Sequence, residues 1–296
     1  QPGPGLPWVV GDRLKPGARG RRRRLTVSRV NGPVLGNSDE HVVRLQFGAD
    51  PFDRSPAEHS LAAYAAAAEL SGVSDPFRES KAEQNATALA MYPRLRARAA
   101  GSPDPLRTAA KLAIAGNVVD LGVGLAFDLN EEIAKVLDGV LAVDHFARFE
   151  EELAAARTLL FLCDNCGEIV FDRIFIEAMR ARFPELRVFA AVKGAPIIND
   201  ATLEDAAAVG LAEAAEVVST GCACIGAPRG AIAPRLAELL DSCDLVIAKG
   251  QGNFETAGDP PRPMYFLLKA KCPCVAEELG VRFGDVVFMR RPAPEA

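Results

Sequence analysis

The chain has 296 residues, of which 49% are apolar and 25% charged, and its formal net charge is −5. This composition supports a substantial core and excludes global disorder, and the acidic balance gives no general attraction to nucleic acid or an anionic membrane. The longest apolar stretch, Leu112–Phe127, is too short to cross a bilayer and carries Asn117 and Asp120.

Seven cysteines, without an apolar h-region at the N-terminus, read as the reduced thiols of a cytoplasmic protein. Residues 1–54 are dense in Pro and Gly and include the basic run Gly17–Leu25. They read as a poorly ordered segment, with a basic arm as the alternative.

Residues 55–157 read as a helical subdomain. Ser55–Gly72 opens with Ser-Pro-Ala-Glu, a good helix start, and stops at glycine. Helical patterns follow over Asp75–Ala100, Asp104–Gly122, Asn130–Leu137 and Asp144–Arg157.

From residue 158 to 296 the periodicity changes. Short apolar runs occupy Thr158–Cys163, Arg187–Val192, Glu216–Thr220, Asp244–Lys249 and Asp285–Arg290. The first four are each followed by a polar, Gly-containing turn and then helical sequence. This alternation predicts an α/β domain, with a mainly parallel sheet covered by helices on both faces. Ligands of such sheets bind at the carboxyl ends of the strands, near a topological switch point.

The polar residues collect at those ends. The first run leads into Asp164, Asn165, Cys166, Gly167 and Glu168, and the second into "KGAPIINDATLEDA", with Asn199 and Asp200. In that string Thr202 and Asp205 have the spacing of a capping box. The fourth run ends in "KGQGNFE", Lys249–Glu255. Asp164 and Asp200 offer carboxylates and Asn165 an amide carbonyl, which are hard donors suited to Mg²⁺ or Mn²⁺. Lys249 is a point charge suited to phosphate, and Gly250 and Gly252 let backbone N–H groups approach an anion. The set predicts metal-assisted attack of water on a phosphate ester. Neither the P-loop spacing nor a dinucleotide fingerprint is present.

Four strings, "DNCGEIVFDRIFIE", "INDATLEDA", "AKGQGNFE" and "FLLKAKCPCVAEELGV", together with "DPFRESKAEQNATALAMYPRL" and "KLAIAGNVVDLG" in the helical half, resemble the prokaryotic branch of the metal-dependent damage-control phosphatases. That family was formerly catalogued as a domain of unknown function. The resemblance covers roughly residues 55–290. It implies a three-layer α/β/α sandwich preceded by a helical part. It also implies a divalent metal (Mn, Co, Ni or Mg) on Asp164, Asn165 and Asp200, and phosphate contacts from Lys249, Gly250 and Asn253, with Lys269 as a further lysine. Asn117 and Asp120 match a "GN-x-x-D" element bordering the site. The implied substrates are small phosphorylated metabolites, such as sugar phosphates or damaged intermediates. The chain departs from the family in having no cysteine before Cys163 and in carrying Ala223 where an acid is usual.

Two further readings stay open. Cys163 and Cys166 have the spacing of a redox pair or half a zinc site. A non-catalytic sensor of a phosphorylated ligand is the other. His41, His59 and His145 lie outside the strand-end loops, so a histidine base is not expected.

Overall fold

The computed structural model describes residues 28–30, 42–44, 72–118, 129–256 and 262–292, with a few positions between 61 and 68. The helix expected over Ser55–Gly72 and the residue Asp120 fall largely or wholly outside these. The chain forms two compact units, Gln1–Asp53 and Arg54–Ala296. In the first, strands β1 (Ser28–Val30) and β2 (Val42–Arg44) pair antiparallel.

The second unit contains helices α1 (Arg78–Ala100), α2 (Pro105–Val118) and α3 (Leu129–Asp138), and the described positions 61, 64, 65 and 68 before them are helical too. The two-residue strand β3 (Val143–Asp144) and helix α4 (Phe146–Ala155) follow. Strand and helix then alternate: β4 (Thr158–Leu162), α5 (Glu168–Arg182), β5 (Arg187–Val192), α6 (Leu203–Ala208) and β6 (Glu216–Ser219). After them come α7 (Pro234–Ser242), β7 (Leu245–Lys249), α8 (Gly250–Thr256), β8 (Met264–Lys269), α9 (Pro273–Leu279) and β9 (Val286–Arg291).

The seven-stranded sheet has the order β3-β9-β8-β7-β4-β5-β6, and only the β8–β9 pair is antiparallel. From β4 the chain winds outward through β5 and β6, then returns to place β7 on the other side of β4. The switch point therefore lies between β4 and β7, where Leu162 pairs with Ala248.

Side chains alternate across the sheet, and the two faces bury separate cores. Leu159, Phe161, Val188, Leu245 and Ile247 join α1, α2, α4 and α5 in one cluster. Leu160, Leu162, Phe189, Val246 and Ala248 join α7, α8 and α9 in the other. This is the expected three-layer sandwich. The helical part shares the first core with the sheet, so residue 157 divides no compact units. Two strands of the seven-stranded sheet have no counterpart among the apolar runs. β3 is too short to carry a period. β8 ends shortly before Pro273, so its apolar run merges with the helix behind it.

Candidate active site

The loops leaving β4 and β5 are laced together. Cys166 N donates to Asn199 O at 2.9 Å, and Ala201 N donates to Asp164 O at 2.9 Å. Asn165 and Asp200 form an isolated antiparallel bridge. Asp164, Asn165 and Asp200, chosen from far-apart strings, thus share one cavity of about 230 Å³ at the switch point. Asn117, at the end of α2, reaches the same cavity. Its amide donates to Asp164 Oδ2 at 3.3 Å and to Glu168 Oε2 at 3.1 Å, and its Oδ1 accepts from Lys269 N at 3.2 Å. A larger groove of about 630 Å³ passes Tyr92, Leu106 and Ile174 and contains none of the strand-end residues.

Helix α1 braces these loops from outside. Asn85 Oδ1 accepts from Gly167 N at 2.7 Å, and its Nδ2 donates to Asp205 Oδ1 at 3.3 Å. Gly167 sits at φ 74°, which glycine adopts without strain. Asp205 closes the capping box, its Oδ2 accepting from Thr202 N at 2.9 Å and from the Thr202 hydroxyl at 2.7 Å. Lys81 completes the brace between Asp75, at 2.8 Å, and Asp205, at 3.2 Å.

Lys249 and Asn253 lie elsewhere than expected. Lys249 is fully buried beneath the cavity, its Nζ bonded to Glu168 Oε1 and Asp172 Oδ1 at 2.6 Å each and to Ala113 O at 2.9 Å. Burial alone would lower its pKa, but Asp172 and Glu168 outweigh burial and hold it above the usual lysine range. With its three donors used, Lys249 has none left for a phosphate. Asn253 is also buried and staples α8 to the strand ends, donating to Lys249 O at 2.7 Å and Cys163 O at 3.2 Å. Gly250 takes φ 77° and lies against the Asp164 carboxylate. Lys269 contributes its backbone N–H to Asn117, whereas Lys271, two residues on, lines the cavity. Sequence reasoning missed Lys271, Gln84, Gln251 and the apolar pair Ile198 and Ile225, which line the cavity too. Ile198 is the one non-glycine residue with positive φ, 39°, among those described. Ala223 is exposed and lies outside the cavity lining.

Carboxylates dominate the electrostatics. Asp164 is pushed well above the usual range by burial and by the neighbouring Glu168 and Asp200. Burial raises Asp200 most; Lys193 opposes it, and the result is about 6. Lys193 Nζ stands 3.3 Å from Asp200 Oδ2, yet that oxygen receives no hydrogen bond from the described residues. A hard cation fits this place. It would neutralise the repulsion, take up the orphaned Asp200 oxygen and find an amide oxygen alongside. Among the described residues no three His, Cys, Asp or Glu side chains form a ready-made ligand set, and the further oxygen donors lining the cavity are amides, Asn165 among them.

The thiols point the other way. Cys163 and Cys166 are free and packed in the first core cluster. Burial pushes both thiols up, the reverse of what an activated thiolate or zinc ligand needs. His145 accepts from Arg290 N at 2.9 Å and takes no part in the cavity; His41 and His59 lie outside the described residues. No described helix is long and apolar enough to cross a membrane.

The chain resembles several known proteins. It is 45% identical over 184 residues to a damage-control phosphatase of Pyrococcus horikoshii, covering 62% of this chain and 64% of that one, just under two thirds of the relative's length. It is 36% identical over 226 residues to a damage-control phosphatase of Archaeoglobus fulgidus, covering 74% and 77%. A crystal structure of a DUF89 family protein from Pyrococcus horikoshii superposes with a TM-score of 0.70 at 38% identity, covering 77% of this chain and 79% of that one. Residues 48–287 match the damage-control phosphatase ARMT1-like domain, and the chain belongs to that family.

Proposed function

We propose that the protein is a divalent-metal-dependent phosphatase of small phosphorylated metabolites. The observation that carries this reading is the meeting of Asp164, Asn165 and Asp200 at the β4/β7 switch point, in a cavity with more carboxylate than cationic charge. The phosphatase names of the archaeal relatives support it.

Asp164, Asn165 and Asp200 would hold the cation. When bound, it supplies charge neutralisation at the phosphoryl oxygens and acidifies water. Lys271 is the cavity's cationic side chain and the phosphate contact. Gln84 and Gln251 offer amides to hydroxyl groups of the metabolite, and Ile198 and Ile225 form the apolar wall. A cavity of about 230 Å³ suits a sugar-phosphate-sized substrate better than a polymer. Lys249 acts from below by fixing Glu168.

The test is phosphate release from a panel of sugar phosphates, nucleotides and phosphopantetheine. Chelated protein would be resupplied with Mg²⁺, Mn²⁺, Co²⁺ or Ni²⁺, beside Asp164→Ala. Release that needs the metal and vanishes in the variant is expected. Release that survives chelation would sink the metal-dependent reading.

A further inference from the structure

Glu168 opens α5 one residue after the turn, and it is buried although α5 begins at the rim of the cavity. Its two oxygens face opposite ways in chemical terms. Oε1 is bound to Lys249 Nζ at 2.6 Å. Oε2 accepts from two amides, Asn117 Nδ2 at 3.1 Å and Asn165 Nδ2 at 3.2 Å. Lys249 is itself pinned by Asp172 and by Ala113 O, so the carboxylate has little freedom to turn away.

A carboxylate in an ion pair can only accept. An amide edge lying against it must therefore be the NH₂ edge, and the carbonyl oxygen lies on the other edge. Asn165 lines the cavity, so its Oδ1 is the edge left for a ligand there. Asp164 Oδ2 also accepts from Asn165 Nδ2, at 3.0 Å. That oxygen belongs to a residue offered as a ligand, whereas Glu168 is committed to Lys249 and stays available as an acceptor.

We propose that Glu168 is a positioning residue whose Lys249-anchored carboxylate turns the Asn165 amide, so that a carbonyl oxygen and not an NH₂ group is presented to a divalent cation. The proposal rests on the divalent-cation reading of the cavity. It gives the buried lysine a role at a distance from the substrate. It also explains why a lysine, two acids and two amides form one chain of contacts under a small polar cavity.

The test is Mn²⁺ binding, measured by titration calorimetry and by electron paramagnetic resonance of free Mn²⁺, on the full chain without substrate. Wild type is compared with Glu168→Gln, Asp172→Asn and the double variant Asn165→Asp/Glu168→Gln, each checked for folding by circular dichroism. Glu168→Gln should weaken Mn²⁺ binding about 10- to 100-fold, the usual cost of losing a residue that orients a ligand. The double variant exchanges donor and acceptor. Its new amide at position 168 can donate to the new carboxylate at position 165, which has no wrong edge, and it should recover most of the loss. Asp172→Asn loosens Lys249 without touching the amide and should weaken Mn²⁺ binding less than Glu168→Gln does. If Glu168→Gln does not fold, Glu168→Asp serves, because it keeps the charge beside Lys249 and withdraws the acceptor from the amide. Undiminished binding in Glu168→Gln or Glu168→Asp, equal weakening by Asp172→Asn, or no recovery in the double variant would overturn the proposal. A wild type that folds but takes no Mn²⁺ would instead overturn the metal reading beneath it.

Discussion

Gly250 and Asp164 face each other across the β4/β7 boundary so closely that a Cβ on Gly250 would overlap the Asp164 carboxylate. The glycine also holds φ 77°, a conformation costly to other residues. Gly250→Ala should therefore act on both fold and site. A destabilisation of about 1–3 kcal/mol is expected from the backbone alone. A roughly 100-fold or greater loss of phosphatase turnover is expected from displacing Asp164. Urea melts beside steady-state kinetics would check it, and an active, equally stable variant would show that Asp164 need not sit where it does.

Lys249 should behave as a structural cation. Lys249→Met leaves Glu168 and Asp172 buried without their counter-charge, a change that costs about 3–5 kcal/mol. The melting temperature should drop sharply, and any surviving activity should show an altered kcat with little change in KM. A stable variant with a raised KM would restore the phosphate-contact role that its burial argues against.

The place of Lys249 was legible in the sequence through a signal that motif reading passes over. Lys249 shares strand parity with Leu245 and Ile247, which face the helical layer. A lysine of that parity at the end of a strand buried on both faces has to go under α2 and α5, where Glu168 and Asp172 stand four residues apart on one helix face. The meeting of Asp164, Asn165 and Asp200 in one cavity was legible for a simpler reason. Parallel strands bring their carboxyl ends together, so acids that follow different strands meet whatever their separation in sequence. Lys271 was not legible, because choosing it over Lys269 requires knowing where β8 ends. The brace from Asn85 was not legible either. It depends on how α1 docks against two loops, and no local pattern encodes that.

The carboxylates make a prediction about pH. Burial, against the opposing charges of Lys193 and Lys249, leaves Asp200 at about 6 and Asp172 at about 7, each above the ordinary 3.8. Between about pH 4 and 7 the folded chain therefore holds protons that the unfolded chain has lost. The metal-free protein should lose stability as pH rises through that window and level off above it. For Asp200 alone the effect is on the order of 3 kcal/mol. Melting of chelated protein from pH 5 to 8 should show the fall, Asp200→Asn should lessen it and leave the share of Asp172, and Mn²⁺ should restore more stability at pH 8 than at pH 5. A melting temperature that climbs with pH in chelated wild type would refute this account.

Lys271 is exposed at the cavity mouth, so its removal should leave the fold untouched. Losing one charge-assisted hydrogen bond worth about 1.5–3 kcal/mol corresponds to a rise in KM of about 10- to 100-fold if the contact is equal in ground and transition states. Lys271→Ala should show that rise at constant melting temperature, and Lys271→Arg should recover part of it. An unchanged KM would remove Lys271 from the site, and a fall in kcat alone would move its contact to the transition state.

Asn85 tests whether the helical layer is part of the catalytic apparatus or only its cover. Its side chain holds Gly167 N–H on one loop and Asp205 on the other, so it sets the spacing between the residues after Asp164 and those after Asp200. Asn85→Ala leaves a buried N–H and a buried carboxylate oxygen short of partners, at about 1–3 kcal/mol. Asn85→Asp keeps an acceptor for Gly167 but sets a carboxylate against Asp205. The two variants should therefore differ. The alanine form should lose stability and metal affinity together. The aspartate form should recover both toward low pH relative to wild type at the same pH, because one of the facing carboxylates takes up a proton there. Mn²⁺ titration of both variants at pH 5.5 and 8 separates these outcomes. Equal affinities for wild type and Asn85→Ala would mean that the two loops hold their spacing through the Cys166–Asn199 and Ala201–Asp164 backbone bonds alone.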